Sequence, residues 1–187
     1  FGIKKPFLNN GANFGYQKQF FLELNGFEGN TNIASGDDVF LLEKAVKQDP
    51  ENVGYLKSKD AIVITTPQQN IRSLLQQRLR WASKSYAYKN GMGIFTAIII
   101  LSMNLMLVLS FLLSIINMFS TTIWLTVFLV KFGIDLWCIL KAAKFFNRSI
   151  TIKWYLLSSI FYPIFTVFIA FSSLFFRYKW KGRSFSK

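Results

Sequence analysis

Histidine is absent from this chain, and cysteine occurs only once, at Cys138. Without histidine the chain cannot use an imidazole as a catalytic base, and zinc sites built from cysteine and histidine are excluded as well. A single cysteine cannot form a disulfide within the chain. Because Cys138 lies inside an apolar run, we interpret it as a small apolar filler. Histidine-based catalysis and zinc chemistry are therefore excluded for these 187 residues.

Acidic residues are scarce: the chain has 9 Asp and Glu against 22 Lys and Arg, which gives a net charge of +13. In residues 94–187 the only acid is Asp135. Positive charge beside long apolar runs is typical of the cytoplasmic flanks of membrane spans. Nucleic-acid binding would also explain a basic chain, but here the charges flank apolar segments and do not line one soluble face. We therefore predict a lipid bilayer, and no nucleic acid, as the partner of these charges.

Apolar residues are abundant: they make up 52% of the chain, and 21 residues are Phe. Three apolar runs follow one another at residues 93–116, 123–140 and 154–176. A helix needs about 20 such residues to cross a bilayer. We predict a transmembrane region over 92–187 that ends in a basic cytoplasmic tail. The protein should then reside in a bacterial-type inner or plasma membrane, with its catalytic part in the cytoplasm.

The third run raises a question of topology, because basic residues lie on both sides of it. The positive-inside rule places Lys89, the loop at 141–149 and the C-terminal tail in the cytoplasm, whereas three crossings would leave the tail outside. Pro163 lies in the middle of the third run, where it would bend a helix. Either this run forms a bent re-entrant hairpin at Pro163, or the rule fails at one end.

The second run contains two charged residues, Lys131 and Asp135, at positions i and i+4. A helix places them on one face, and mutual pairing lowers the cost of keeping both in a membrane. We interpret them as a structural pair. A transport role is the alternative, and loss of solute flux on replacing both by Leu would support it.

Residues 1–69 are predicted to form an α/β arrangement of short apolar segments separated by turn residues. The predicted strands are 7–17, 52–58 and 61–66, and the predicted helices are 17–27 and 36–48. Residues 70–91 are predicted to form a basic amphipathic helix, of the kind that commonly lies on a membrane surface. The architecture expected is therefore an α/β domain followed by an interface helix and an α-helical transmembrane region.

Two adjacent acids, Asp37 and Asp38, follow Gly36 and precede an apolar helix. One interpretation is structural: Ser35 or Asp37 caps the helix, and the next acid stabilises the helix dipole. One carboxylate is enough for that purpose. The second is available for proton transfer, since a carboxylate at the mouth of a cleft can act as a general base.

A second candidate motif lies in QQRLRW, residues 76–81. Gln77, Arg80 and Trp81 have the spacing that gathers side chains on one patch of a helix. An amide, a guanidinium suited to a phosphate or carboxylate, and a flat ring could together hold a sugar and a diphosphate. The alternative is an interfacial helix whose Trp and Arg anchor it among lipid headgroups.

These motifs occur in a definite order along the chain. GANFGYQKQFFLELNGF is followed by SGDD, then by QQRLRW directly before an apolar run, and finally by WKGR near the C-terminus. This order resembles the membrane glycosyltransferases of family 2, among them cellulose, chitin and hyaluronan synthases and the ceramide and hopanoid glucosyltransferases. The resemblance covers nearly the whole chain. It implies a GT-A-type, Rossmann-like α/β domain and inverting transfer of a sugar from a nucleotide-sugar donor to a lipid or polysaccharide acceptor.

The resemblance also assigns roles to the catalytic and binding residues. Asp38, the second acid, matches the general base, and Asp37 then serves the helix start and orients the site. The residues that match the family's Q-x-x-R-W motif at the donor and acceptor site are Gln77, Arg80 and Trp81, with Arg78 at the variable, often basic position. In this interpretation Arg80 stabilises the leaving diphosphate and Trp81 packs against the acceptor.

The floor of the site and its metal are the remaining parts of the family pattern. Gly11, Ala12 and Asn13 would shape the floor by close backbone approach. Members of the family hold Mg²⁺ or Mn²⁺ with a D-x-D motif, and this chain contains no such motif. We therefore expect a piece of a longer protein that binds no metal by itself and does not turn over alone. The alternatives are a non-catalytic membrane subunit that scaffolds a synthase and a small transporter fragment.

Overall fold

The computed structural model describes residues 5–29, 36–84, 89–176, 178–180 and 183–185. The chain divides into two compact units. The first unit comprises residues 1–97 and 172–187, and the second comprises residues 98–171.

Six α-helices and one short hairpin follow one another in the described residues. The helices are α1 (Lys18–Glu23), α2 (Asp37–Gln48), α3 (Ile71–Lys84), α4 (Gly91–Ile115), α5 (Thr121–Phe145) and α6 (Ile152–Phe175). The strands β1 (Tyr178–Trp180) and β2 (Arg183–Phe185) pair antiparallel, with Trp180 opposite Arg183. Short 3-10 helices lie at Gly11–Asn13 and Pro50–Asn52.

The predicted α/β fold is wrong for the described residues, which contain no Rossmann-like sheet. A strand needs a hydrogen-bonded neighbour, and among the described residues no strand is formed at 52–58 or 61–66. Their apolar side chains stay in solvent, as at Leu56 and Ile64, which are 75% and 74% exposed. The predicted strand at 7–17 is interrupted because the Asn10 side chain accepts a hydrogen bond from Ala12 N and starts a 3-10 turn.

Helix α2 runs from Asp37 to Gln48, within one residue of the predicted bounds 36–48. Its N-cap is Gly36, which has φ of 109° and makes no side-chain cap. Asp37 therefore lies inside the first turn and does not cap the helix, and Ser35 lies outside the described residues. The buried residues are the consecutive Val39, Phe40, Leu41 and Leu42, whereas Ala45 and Val46 are only partly buried. Consecutive burial means that this turn of α2 is covered on several sides.

Asparagine ends several helices in the same way. At the end of α1, Asn25 has φ of 55°, and Gly26 N donates to Phe21 O at 2.9 Å. Asn117 after α4 and Asn147 after α5 also have positive φ and the same pair of closing backbone hydrogen bonds. This is the Schellman motif, in which the left-handed residue satisfies the last carbonyl groups of the helix.

Helices α4, α5 and α6 are each long and apolar enough to cross a membrane. They lie where the three apolar runs predicted them, and the prediction of a membrane protein is confirmed at this level. Helix α6 is continuous through Pro163, so a hairpin at that residue is wrong. In α5 none of the residues is buried, and Cys138 is exposed, so it does not fill a core.

Polar contacts between helices are few within the second unit. Trp124 Nε1 on α5 donates to Leu107 O on α4 at 3.1 Å, and the Tyr155 hydroxyl on α6 donates to Phe132 O on α5 at 2.8 Å. Lys131 and Asp135 form the predicted ion pair along α5. The Lys131 ammonium also lies 5.9 Å from the centre of the Tyr162 ring. These contacts join the three helices through side chains that are amphipathic or paired.

Candidate functional site

The carboxylate of Asp38 is held by backbone N–H groups from two parts of the chain. Gly11 N donates to Asp38 Oδ2 at 2.7 Å, although 27 positions separate the two residues. Val39 N donates to Asp38 Oδ1 at 3.0 Å. An ionised carboxylate offers about four acceptor positions, so each oxygen keeps capacity for a further donor. The side chain is partly buried and fixed in direction, as a proton acceptor requires.

Glycine is required where residue 11 approaches this carboxylate. A Cβ atom at position 11 would lie 3.3 Å from Asp38 Oδ2, which is tighter than ordinary contact. A second hydrogen bond fixes the same pair of segments, because Asn9 Nδ2 donates to Asp38 O at 3.1 Å. Residues 9 and 11 therefore lie beside Asp38, whereas the predicted role of residues 11–13 as the floor of a site stays a prediction.

The other two residues of that segment have different surroundings. Asn13 Nδ2 donates to Ala61 O at 2.7 Å and so ties the 3-10 helix to the segment that precedes α3. Ala12 is exposed, and its N–H donates a hydrogen bond to Asn10 Oδ1. Asp37 is exposed in the first turn of α2, where the helix dipole favours a carboxylate.

Helix α3 presents the Q-x-x-R-W residues on partly exposed positions. Gln77 and Arg80 are partly buried, and Trp81 is 42% exposed. The guanidinium of Arg78 lies over the Trp81 ring at 4.8 Å from its centre, so these two side chains cover one another. Within the described residues, neither the Gln77 amide nor the Trp81 ring makes a hydrogen bond or ring contact with Asp38. The structure therefore brings Gly11 to Asp38, and among the described residues it does not bring the Gln77 amide or the Trp81 ring into such contact with Asp38.

The backbone of the C-terminal hairpin lies against α3. Strand β1, which includes Trp180, contacts the helix that carries the Gln77, Arg80 and Trp81 motif. The helix and the strand are about a hundred positions apart in the chain, and their backbones lie in contact. Lys181 and Gly182 of the WKGR sequence lie outside the described residues.

Sequence reasoning missed three polar residues beside this cluster. Asn9 donates to the carbonyl of Asp38. Glu43 accepts hydrogen bonds from Lys89 N at 3.1 Å and Asn90 N at 3.0 Å, and Asn90 Oδ1 caps the start of α4. An Asn directly before an apolar run is an N-cap signal and would have found Asn90. No sequence pattern pairs Glu43 with a residue 46 positions away.

The resemblance implies Mg²⁺ or Mn²⁺, and the described residues do not fit such an ion. They contain no group of three or more His, Cys, Asp or Glu side chains that could hold a metal. The two oxygens of Asp38 already accept backbone N–H groups, which point donors and not lone pairs at the position a cation would take. No step is therefore derived through a metal.

Comparison of this chain with protein-family models, with curated proteins and with solved structures found no match. The glycosyltransferase function implied by the motif order thus stays a prediction.

Proposed function

We propose that this chain carries the proton-accepting part of an inverting glycosyltransferase. The enzyme transfers a sugar from a nucleotide-sugar donor to a hydroxyl of a lipid or glycan acceptor at the membrane. The observation that supports this most is the carboxylate of Asp38, partly buried and oriented by Gly11 N and Val39 N. A second acid beside it, Asp37, occupies the position that serves the helix dipole.

In the proposed reaction Asp38 accepts the proton of the acceptor hydroxyl as that oxygen attacks the anomeric carbon of the donor sugar. The bond from the anomeric carbon to the diphosphate oxygen breaks in the same displacement, and the bonding electrons leave with the nucleoside diphosphate. One displacement inverts the anomeric centre. General-base assistance of this kind contributes about 10²- to 10⁴-fold to a rate.

Helix α3 supplies the groups proposed to hold the donor and the acceptor. The planar guanidinium of Arg80 suits a diphosphate whose negative charge grows as it leaves. Trp81 offers an exposed ring face to a sugar or to a lipid at the membrane surface, and Gln77 offers amide hydrogen bonds. The backbone of strand β1 lies along this helix.

The position of Asp38 relative to α4 favours an acceptor at the membrane. Glu43 accepts hydrogen bonds from the residues that directly precede α4, and it lies five positions after Asp38 on α2, a rise of about 7.5 Å. The carboxylate therefore lies near the point where the chain enters its first apolar helix. A hydroxyl at the level of lipid headgroups would reach it more readily than one deep in the cytosol.

The test is a pair of neighbouring substitutions, Asp38→Asn and Asp37→Asn, in the full-length protein supplied with membranes and radiolabelled sugar nucleotides. We expect Asp38→Asn to lower kcat by about 10²- to 10⁴-fold, because the amide cannot accept the proton. Asp37→Asn should lower it much less. Near-normal transfer by Asp38→Asn would remove Asp38 as the base, and the absence of transfer by the unmodified protein with every donor tried would overturn the proposed function.

We place the polar part and the C-terminal hairpin on the cytoplasmic face of a bacterial-type plasma membrane. Basic residues precede α4, separate α5 from α6 and follow α6, as the positive-inside rule describes. Segments in contact lie on one side of a bilayer, and β1 contacts α3. The chain between α3 and β1 therefore crosses the bilayer completely an even number of times. In this topology α4 and α5 cross, and the continuous helix α6, although long enough to cross, lies along the cytoplasmic leaflet with both ends on that side.

Single cysteines test this topology, because the chain has only Cys138 to remove. In a Cys138→Ala background we expect Met118→Cys to react with a membrane-impermeant maleimide from outside. Ser149→Cys and Ser184→Cys should react only in inverted vesicles. Reaction of Ser184→Cys from outside would mean that α6 crosses the membrane and would exclude this arrangement.

A further inference from the structure

Glu43 lies on α2 one and a half turns after Asp38, and its contacts lead away from the proposed active site. One carboxylate oxygen, Oε1, accepts both Lys89 N at 3.1 Å and Asn90 N at 3.0 Å. These N–H groups directly precede α4, where the helix leaves its first donors without intrahelical partners. Glu43 thus supplies a negative charge to the positive end of the first apolar helix.

Asn90 continues this connection in two directions. Its Oδ1 accepts hydrogen bonds from Met92 N at 3.0 Å and Gly93 N at 3.2 Å, which caps α4. Its Nδ2 donates to Pro6 O at 3.4 Å. At Gly93 an added Cβ would meet the Phe7 ring at 3.5 Å, so residues 6 and 7 lie against the start of α4.

The segment that begins at Pro6 then returns to Asp38. Asn9 Nδ2 donates to Asp38 O, and Gly11 N donates to the Asp38 carboxylate. The contacts therefore close a ring: α2 binds the start of α4 through Glu43, the start of α4 binds residues 6 and 7, and residues 9 and 11 bind α2 at Asp38. A shift of any one member changes the position of the other two.

We propose that Glu43 is a positioning residue that fixes Asp38 relative to the start of α4. The proposal rests on the proposed function for its catalytic consequence, and on the hydrogen bonds alone for its structural part. Glu43 reaches no substrate in this arrangement. It acts by setting the register between α2 and α4, so that the segment carrying Gly11 meets the Asp38 carboxylate at hydrogen-bonding distance.

The kind of group needed at position 43 follows from the contacts. Both bonds are accepted by one oxygen, and the amide oxygen of Gln can accept them in the same geometry. Alanine removes the acceptor, and aspartate withdraws it toward α2 while keeping the charge. Comparison of Glu, Gln, Asp and Ala at position 43 therefore separates the effects of the hydrogen-bond acceptor, the negative charge and the side-chain length.

The experiment compares Glu43→Ala, Glu43→Asp and Glu43→Gln in the full-length protein, with Glu51→Ala as the control for loss of an exposed glutamate in the same unit. Hydrogen exchange measured by mass spectrometry reports the amides of Lys89 and Asn90, and transfer kinetics report kcat and KM. We expect Glu43→Ala to lose amide protection at 89–90 and to lower kcat about tenfold with little change in KM, as a misplaced base would. Glu43→Gln should retain both the amide protection at 89–90 and the kcat of the unmodified protein, and Glu43→Asp should give intermediate values.

Each outcome decides a separate point. Unchanged exchange and kcat in Glu43→Ala would overturn the proposal, as would an equal loss in Glu51→Ala. If Glu43→Ala does not fold, the comparison of Glu43→Asp with Glu43→Gln still tests reach against charge. If the unmodified protein transfers no sugar, the proposed function fails, while amide exchange at 89–90 continues to decide whether Glu43 fixes α2 to α4.

Discussion

The hydrogen bonds of polar groups differ in sequence range between the two units. In the first unit several hydrogen bonds of polar groups join distant parts of the chain: Gly11 to Asp38, Asn13 to Ala61, and Glu43 to Asn90. In the second unit most of the hydrogen bonds that side-chain hydroxyls donate go to a carbonyl of their own helix three or four residues earlier. These include Ser110 to Met106, Ser114 to Phe111, Thr126 to Thr122 and Ser159 to Tyr155.

The difference follows from the surroundings that each unit is built for. Inside a bilayer no water is present to satisfy a polar group, so long helices satisfy theirs locally. Loops and short helices have unsatisfied backbone groups that need partners elsewhere in the chain. The position of Asp38 therefore depends on a few specific bonds, whereas α4 to α6 tolerate the loss of single ones. The predictions below test this contrast, from the largest expected effect to the smallest.

Lys44→Met should give the largest loss of stability. The Lys44 ammonium on α2 donates to Leu24 O, Gly26 O and Glu28 O at 3.2, 2.8 and 2.7 Å, and so closes the turn after α1. Hydrogen bonds to a charged group contribute about 1.5–3 kcal/mol, so we expect the free energy of unfolding to fall by about 2 kcal/mol. Denaturant titration of the full-length protein in detergent measures it.

The matched control is Lys47→Met on the same helix, where the side chain is exposed. It should change the free energy of unfolding very little. Equal losses at positions 44 and 47 would show that charge on α2, and not the three carbonyl contacts, sets the stability of this turn.

Gly11→Ala should lower activity without unfolding the protein. The new Cβ would lie 3.3 Å from Asp38 Oδ2, so the carboxylate must move by a few tenths of an ångström. Displacement of about 1 Å can cost about 10²-fold in rate, and we expect a fall in kcat of about tenfold here. Gly15→Ala is the control, because an added Cβ there meets nothing within 4 Å. Normal transfer by Gly11→Ala would mean that Asp38 does not need its present position.

Much of the helical structure could be predicted from sequence, because its signals are local. Apolar length places α4, α5 and α6, the dipeptide Asn25-Gly26 marks the end of α1, and the acids after Gly36 mark the start of α2. Each depends on neighbouring residues and on backbone geometry that Gly and Asn tolerate.

The parts that sequence could not predict depend on distant partners. Residues 52–66 have the β-forming composition of strands, yet the described structure assigns no strand to them, because strand formation depends on a neighbouring segment and not on composition alone. The carbonyl contacts of Lys44 and the bonds of Glu43 to Lys89 and Asn90 join residues that are far apart in the chain. Their separations do not follow the repeat of a helix or a strand, so no sequence pattern indicates them. The proximity of Gly11 to Asp38 was expected from the family resemblance, and no feature of the residues alone indicates it.

Trp124→Phe tests one of the few polar bonds between helices of the second unit. It removes the Nε1 donor to Leu107 O and keeps a ring that can contact Phe111 and Phe128, whose centroids lie 5.0 and 5.5 Å away. Hydrogen bonds between membrane helices contribute about 0.6 kcal/mol on average, and we expect a loss of that size. Trp137→Phe, at a side chain 62% exposed, is the control. A loss above about 2 kcal/mol would mean that the second unit also depends on single polar bonds.

Ser110→Ala should have the smallest effect. Its hydroxyl donates to Met106 O at 2.6 Å within α4, and that carbonyl keeps the backbone hydrogen bond of the helix when the hydroxyl is removed. Hydroxyl bonds of this type slightly bend or destabilise a helix, so the free energy of unfolding in detergent should change by less than about 0.5 kcal/mol. A loss as large as that of Lys44→Met would contradict the contrast between the units, because it would make a local bond in an apolar helix as important as the long-range contacts around α2.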